Sequence, residues 1–217
     1  MHILWGVSGS ISAYKIPDLI RRLVSDSHCV TPILTESGAM FVTDMTLETV
    51  SGQPVYRSQK GSGARISHLD LAKKGDVLVI APASANTIAR LAHGLADDFL
   101  STLCLAYQGP KIIVPAMHTE MIENPLVQAN LDRLASVGYQ ILGPVSGELA
   151  CGDKGLGRMI DPDVIRLAIE AIFQSGGAVF DQNLSGKKII ISSGGTQESI
   201  DPVRCIRNHA SGKLGST

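Results

Sequence analysis

The chain has 217 residues, 44% of them apolar and 18% charged, and a net charge of −1. That supplies the core of one ordinary domain with part of another, and the near balance of charge offers no basic face for nucleic acid. No apolar run approaches the ~18–20 residues needed to cross a bilayer, so no membrane partner is expected.

In chain order, the opening "MHILWGVSGSI" lacks a basic region ahead of its apolar run. It reads as a first strand, "HILWG", rather than as a signal peptide. Ile16, Leu19, Ile20 and Leu23 then recur at helical spacing. "CVTPILT" is a second strand, which Pro32 places near a sheet edge. "SQKGSGARIS" (58–67) is a Gly/Ser-rich loop expected to be mobile. "DVLVIAPA" is a buried strand, followed by a helix from about Ala85 to His93. A helix over "DDFLSTLCLAY", a strand "KIIVPAM", a helix near Pro125–Val137, a strand "YQILGP" and a helix over Pro162–Gln174 complete the pattern. This alternation predicts an α/β fold, a three-layer, Rossmann-like (flavodoxin-like) parallel sheet with helices on both faces. Right-handed crossovers gather the strand-to-helix loops at one sheet edge, where ligands bind.

"SGGAVFDQNLSG" reads as a linker, and "KKIIISSGGTQE" as a fresh strand and glycine turn. The expected division is therefore a domain over 1–175, a linker over 176–186 and the start of a second α/β domain over 187–217. Cys29, Cys104, Cys151 and Cys205 lie far apart, without CxxC or zinc-ligand spacing, which predicts free thiols, no metal site and a reducing cytoplasm.

Five segments carry candidate chemistry. "GVSGSISAYK" (Gly6–Lys15) aims backbone N–H groups and serine hydroxyls at an anion, but it is neither GxGxxG nor a P-loop. It suits one phosphate, or is simply a capped tight turn. "PASANT" (Pro82–Thr87) sets Ser84, Asn86 and Thr87 at a helix start, as ligand contacts or as an elaborate cap. "PAMHTEM" brings His118 to the same edge, and "SHLDLAKKGD" opens a helix with His68; either histidine could be structural. The segment "ELACGDKGLGRM" sets Cys151 in a stretch without regular periodicity, where glycine-rich backbone can fold closely over something small. Asp153, Lys154 and Arg158 can anchor such a flap.

Together "SGSISAYK", the His68 segment, "APASANTIARLAHGLADD", "PAM" with "TEM" and "ACGDKGLGRM" resemble the homo-oligomeric flavin-containing cysteine decarboxylases over about residues 1–175. Within that family they resemble the decarboxylase half of the bacterial bifunctional phosphopantothenoylcysteine decarboxylase/phosphopantothenate–cysteine ligases. "GGTQESIDPVRCIRNHASGKLG", which contains Asn208, resembles the start of the ligase half, whose CTP and Mg2+ site would be incomplete here. The resemblance implies FMN as cofactor. Gly9, Ser10 and Ile11 would lie at its phosphate, and Thr35, Glu36, Ser37 and Phe41 would follow strand two. Ser84, Ala85, Asn86, Thr87 and Ala116 would hold the rest of the flavin. His68 and Cys151 would be catalytic, with His118, Met121, Ala150 and Gly152 at the substrate. His118 stands where many members carry asparagine; a neutral imidazole also donates and accepts, so carboxylate recognition is expected to survive.

The implied reaction is decarboxylation of 4'-phosphopantothenoylcysteine to 4'-phosphopantetheine in coenzyme A biosynthesis. A cysteinyl carboxylate leaves only if the resulting carbanion can delocalise. Oxidation of the carbon bearing sulfur to a thioaldehyde provides that sink, and loss of carbon dioxide then gives an ene-thiol. Histidine is the residue type suited to taking the thiol proton, and a thiol of ordinary acidity can return one. The family forms trimers, often assembled into dodecamers, with cofactor and substrate held between subunits. The alternatives are an oxidative peptidyl-cysteine decarboxylase, which needs no final proton donor, a flavin prenyltransferase, and a non-catalytic FMN-binding regulatory subunit.

Overall fold

The computed structural model describes residues 1–57, 68–174, 188, 197–199 and 205–207. The expected mobile loop (58–67), the linker and most of the 187–217 segment lie outside the described residues. Five parallel strands form the central sheet: β1 (His2–Val7), β2 (Cys29–Leu34), β3 (Val77–Ala83), β4 (Lys111–Pro115) and β5 (Tyr139–Ile141), in the order β2-β1-β3-β4-β5. This is the flavodoxin-like order, in which the direction of the crossovers reverses between β1 and β3.

Alternation along each strand explains the three layers. Ile3, Trp5 and Val7 of β1, with Val77, Val79 and Ala81 of β3, face one way. There they meet α1 (Ile16–Ser25), α2 (Asp44–Ser51) and α8 (Pro162–Gln174). Leu4, Leu78 and Ile80 face the other way, onto α3 (His68–Lys74), α4 (Ala85–Ala92), α5 (Phe99–Ala106) and α7 (Pro125–Ser136). The helical stripe Ile16, Leu19, Ile20 and Leu23 is fully buried, at roughly 1.5–3 kcal/mol per side chain. Strand β3 is buried throughout, as an interior parallel strand covered on both faces must be. Pro32 does sit in the edge strand; among the described residues, only an isolated bridge from Ile33 to Tyr56 lies beyond it.

Two helices were not expected from periodicity. One is α2, capped by the Thr43 hydroxyl on the Thr46 N–H and stopped by left-handed Gly52. The other is the single turn α6 (Thr119–Ile122). The larger correction concerns "ELACGDKGLGRM". It is not irregular loop but an antiparallel hairpin of β6 (Val145–Glu148) and β7 (Lys154–Arg158), with Cys151 at its tip. Glycines at 147, 155 and 157 erase the side-chain alternation by which strands are recognised.

Contacts divide the chain into two units, Met1–Val179 and Phe180–Thr217. In the second, β8 (Gln197–Ser199) pairs antiparallel with β9 (Cys205–Arg207). Among the described residues, no helix is long and apolar enough to cross a membrane.

Candidate active site

The cleft lies at the carboxyl ends of β1, β3 and β4, where the crossover direction reverses, and encloses about 660 Å3. Its floor is two loops tied together by Ser8, a buried residue that sequence reasoning passed over. The Ser8 hydroxyl donates to the Pro82 carbonyl at 2.8 Å and accepts the Ser84 N–H at 2.8 Å. Sequence offers no sign of this clamp, because its partners are 74 and 76 residues away.

On the β1 side, Ser10 is extended and its hydroxyl accepts the Ser12 N–H. Gly9, Ser10, Ile11, Ser12 and Lys15 line the cleft. A Cβ on Gly9 would fall 2.7 Å from Cβ of Ser37, so the turn needs glycine to pass this close to the loop after β2. Thr35 supports that loop from below, accepting the Gly38 N–H at 3.0 Å and donating to the Val7 carbonyl. Thr35, Glu36 and Ser37 are thus not cleft-lining residues. Glu36 pairs instead with Arg57, whereas Phe41 does reach the cleft.

On the β3 side, Ser84 caps α4 by accepting the Thr87 N–H. Buried Thr87 spends its hydroxyl on Ser84 at 3.1 Å, which makes it part of the cap. Ser84 and Ala85 line the cleft, and Asn86 is exposed on the first turn without lining it. The first-turn N–H groups of Ala85 and Asn86 have no intrahelical acceptor and are offered at this end of the sheet. Ala116, Met117, His118 and Met121 supply the β4 side. Ile11, Phe41 and Met121 remain 51, 41 and 48% exposed, an apolar rim beside a floor of hydroxyls and Lys15.

The hairpin lies against this rim. The Met117 N–H donates to the Gly157 carbonyl at 3.1 Å, and Gly157 holds φ +139° with the Met117 carbonyl where a Cβ would go. Gly157→Ala is therefore expected to lift the hairpin, at about 1–3 kcal/mol of backbone strain before any clash. Faster protease cleavage between residues 149 and 153, with the sheet's circular dichroism unchanged, is the expected readout. Cleavage at the parent rate would contradict this anchoring.

At the hairpin tip, Ala150 and Cys151 line the cleft, while Gly152 takes the left-handed turn, φ +93°, without lining it. The Cys151 thiol donates to Asp153 Oδ2 at 3.4 Å, and His118 Nε2 approaches the same oxygen at 3.3 Å. These contacts, with His118 first and Cys151 second, hold the Asp153 carboxyl below the usual carboxylate range. Cys104, by contrast, is a core thiol whose pKa burial pushes far up. The predicted site residues His118, Met121, Ala150 and Cys151 are thus brought together. His68 is not: as the first residue of α3 it does not line this cleft. Tyr14, Glu148 and Arg158 do line it and were not singled out as binding residues.

The flavoprotein family pattern matches residues 1–174. The chain belongs to the flavoprotein family. Residues 184–217 match a second pattern, the DNA/pantothenate metabolism flavoprotein C-terminal domain. The chain is 44% identical over 216 residues to the "Coenzyme A biosynthesis bifunctional protein CoaBC" of Haemophilus influenzae, covering 99% of this chain and 53% of that protein. Identity to the Escherichia coli protein of the same description is also 44%, over 98% of this chain and 52% of that one. The flavoprotein thus spans about half the length of these curated relatives. Among solved structures it is similar to a PPC decarboxylase with a cysteine-to-serine mutation, complexed with pantothenoylaminoethenethiol. That match has 30% identity and a TM-score of 0.73, over 80% of this chain and 98% of that one. The FMN binding protein AtHal3 matches at 31% identity and a TM-score of 0.71, over 80% and 97% of the two chains.

Proposed function

We propose that this flavoprotein decarboxylates 4'-phosphopantothenoylcysteine to 4'-phosphopantetheine, a step of coenzyme A biosynthesis, with FMN as cofactor. The observation that carries the reading is the placement of Cys151 and His118 together over a cleft at the sheet's switch point. The donor set fits FMN. The serine hydroxyls of the turn after β1 and Lys15 suit a phosphate, and the rim of Ile11, Phe41, Ala116 and Met121 suits a flat ring, whose polar edge the first-turn N–H groups of α4 can meet. Gly9, Ser10 and Ile11 would hold the phosphate, and Ser84, Ala85 and Ala116 the ring system. Thr35, Ser37 and Thr87 would hold the loops in place, with Glu36 and Asn86 at the margin. When bound, FMN supplies a two-electron acceptor and donor for the carbon bearing sulfur.

The protein's own residues then manage protons and position. His68 takes the substrate thiol proton, and His118 holds the carboxylate until it leaves as carbon dioxide. Asp153 fixes the direction of the Cys151 S–H bond, and Cys151 delivers the proton that completes the product. The hairpin, with Ala150 and Gly152, lies over the substrate and limits water. The proton donor at its tip favours this reading over the oxidative peptidyl-cysteine decarboxylase, whose product keeps the ene-thiol.

The position of His68 off its own chain's cleft supports a homo-oligomeric working unit, a trimer or a dodecamer as the resemblance implies, in which a neighbouring copy supplies it. Exposed Tyr14, Met40, Met45 and Leu69 offer the apolar surface such contacts need. The assembly would act in the cytoplasm. Residues 1–175 form the decarboxylase domain, 176–186 the linker, and 187–217 the opening of the ligase-like domain, where CTP and Mg2+ would belong.

The test is incubation of the FMN-loaded protein with carboxyl-labelled phosphopantothenoylcysteine. Release of labelled carbon dioxide is expected; a yellow, folded protein that releases none would overturn the reading. His118→Leu is expected to remove a hydrogen bond to a charged group, about 1.5–3 kcal/mol, or roughly 10–150-fold in kcat/KM, mostly through KM. His118→Asn, which keeps a donor, should lose much less. Equal kcat/KM in the two variants would move His118 to a structural role.

A further inference from the structure

His118, Cys151 and Asp153 have a second chemical capacity that proton transfer does not use. One ligand atom from each lies within 4.8 Å of the other two. The set joins an imidazole, a thiol and a carboxylate, the three ligand types that zinc favours. With Zn–N and Zn–O near 2.1 Å and Zn–S near 2.3 Å, a tetrahedral ion sets N···O edges of about 3.4 Å and S···O edges of about 3.6 Å. The corresponding separations here are 3.3 Å for Nε2 to Oδ2 and 3.4 Å for Sγ to Oδ2. The remaining Nε2-to-Sγ edge can close by rotation of Cys151, which is exposed at the hairpin tip.

The other nitrogen of His118 is also placed for this. Glu120 Oε2 lies 3.5 Å from Nδ1, so a second carboxylate stands on the side of the ring away from Nε2, as outer carboxylates do beside metal-bound histidines. Sequence spacing hides the cluster, because His118 is 35 residues from Asp153. An asparagine at position 118 would offer only an amide oxygen to a soft cation, so the histidine is what completes the set.

We propose that this cluster is a binding site for one soft divalent cation of the zinc class. The ion is held by His118 Nε2, Cys151 Sγ and Asp153 Oδ2, with water in the fourth position toward the cleft. Binding replaces the thiol proton: the S–H bond breaks, the S–Zn bond forms, and one proton leaves to solvent. Under the decarboxylase reading, the ion removes the proton donor and occupies the carboxylate site, so zinc inhibits reversibly. The binding itself does not depend on that reading.

Calorimetric titration of the FMN-loaded full chain with Zn2+ tests the site, with Co2+ absorbance reporting the thiolate bond. One ion per chain is expected, with proton release and a thiolate-to-cobalt band. His118→Asn and Cys151→Ser should each weaken binding about 100-fold, and Cys29→Ser should match the parent. Asparagine can serve at the 118 helix-cap position, so fold is not at stake there. No zinc uptake, or a loss of less than tenfold in His118→Asn, would overturn the proposal. So would loss of binding in Cys29→Ser. Carbon dioxide release, measured on the same preparations without metal, reports separately on the decarboxylase reading.

Discussion

Cys151→Ser is expected to release carbon dioxide and then stop, leaving an ene-thiol two hydrogens lighter than the normal product. The side chain sits at an exposed hairpin tip, so the smaller oxygen opens no cavity and disturbs no packing. What changes is acidity: a hydroxyl in this position is a far weaker proton donor than a thiol. The contact with Asp153 survives, since a hydroxyl also donates to the carboxylate. The final protonation should therefore slow by about 10²–10⁴-fold, the range of a lost general acid. Rapid mixing with mass detection would show carbon dioxide and ene-thiol formed together while flavin absorbance stays bleached. Normal product at the parent rate would place the proton elsewhere; loss of carbon dioxide release would move Cys151 into substrate binding.

His68→Asn is expected to fail earlier. Without a base for the substrate thiol, carbon dioxide release should drop by about 10²–10⁴-fold while FMN stays bound. Its position at the start of α3, away from the cleft of its own chain, adds a second expectation. If a neighbouring copy supplies the histidine, His68→Asn and Cys151→Ser chains can repair one another. After joint refolding in equal amounts, roughly a quarter of the clefts would pair an intact cysteine with an intact partner histidine. Overall turnover should then exceed that of either variant alone. Activity no better than the two separate preparations would contradict a shared site.

Much of the fold was legible in sequence because burial imposes a period. The stripe from Ile16 to Leu23 and the unbroken apolar run of β3 could hardly be anything else once their surroundings are parallel strands. The hairpin is hidden for the converse reason: its glycines carry no side chains to alternate, and only the close approach of Thr119 to Gly155 and of Met117 to Gly157 shows why they are needed. Helix α2 buries only Leu47 and Ser51, too little for a periodic signal. At the site, Ser10, Ser84 and His118 could be singled out because strand ends converge in a parallel sheet, and Cys151 because it stands in a glycine-rich segment without regular periodicity. Thr87 could not be sorted, since a helix cap and a ligand contact use the same residue types. Ser8 and the Gly9–Ser37 approach depend on contacts that no local pattern announces.

The proposed decarboxylation returns to the product the hydrogens taken from the substrate. The most direct measurement is the mass of the product after multiple turnovers of phosphopantothenoylcysteine by the FMN-loaded protein, with no external electron acceptor. The expected product is lighter than the substrate by one carbon dioxide and nothing else, formed many times per FMN with the flavin oxidised at the end. A product lighter by carbon dioxide and two further hydrogens, with one turnover per FMN, would contradict it.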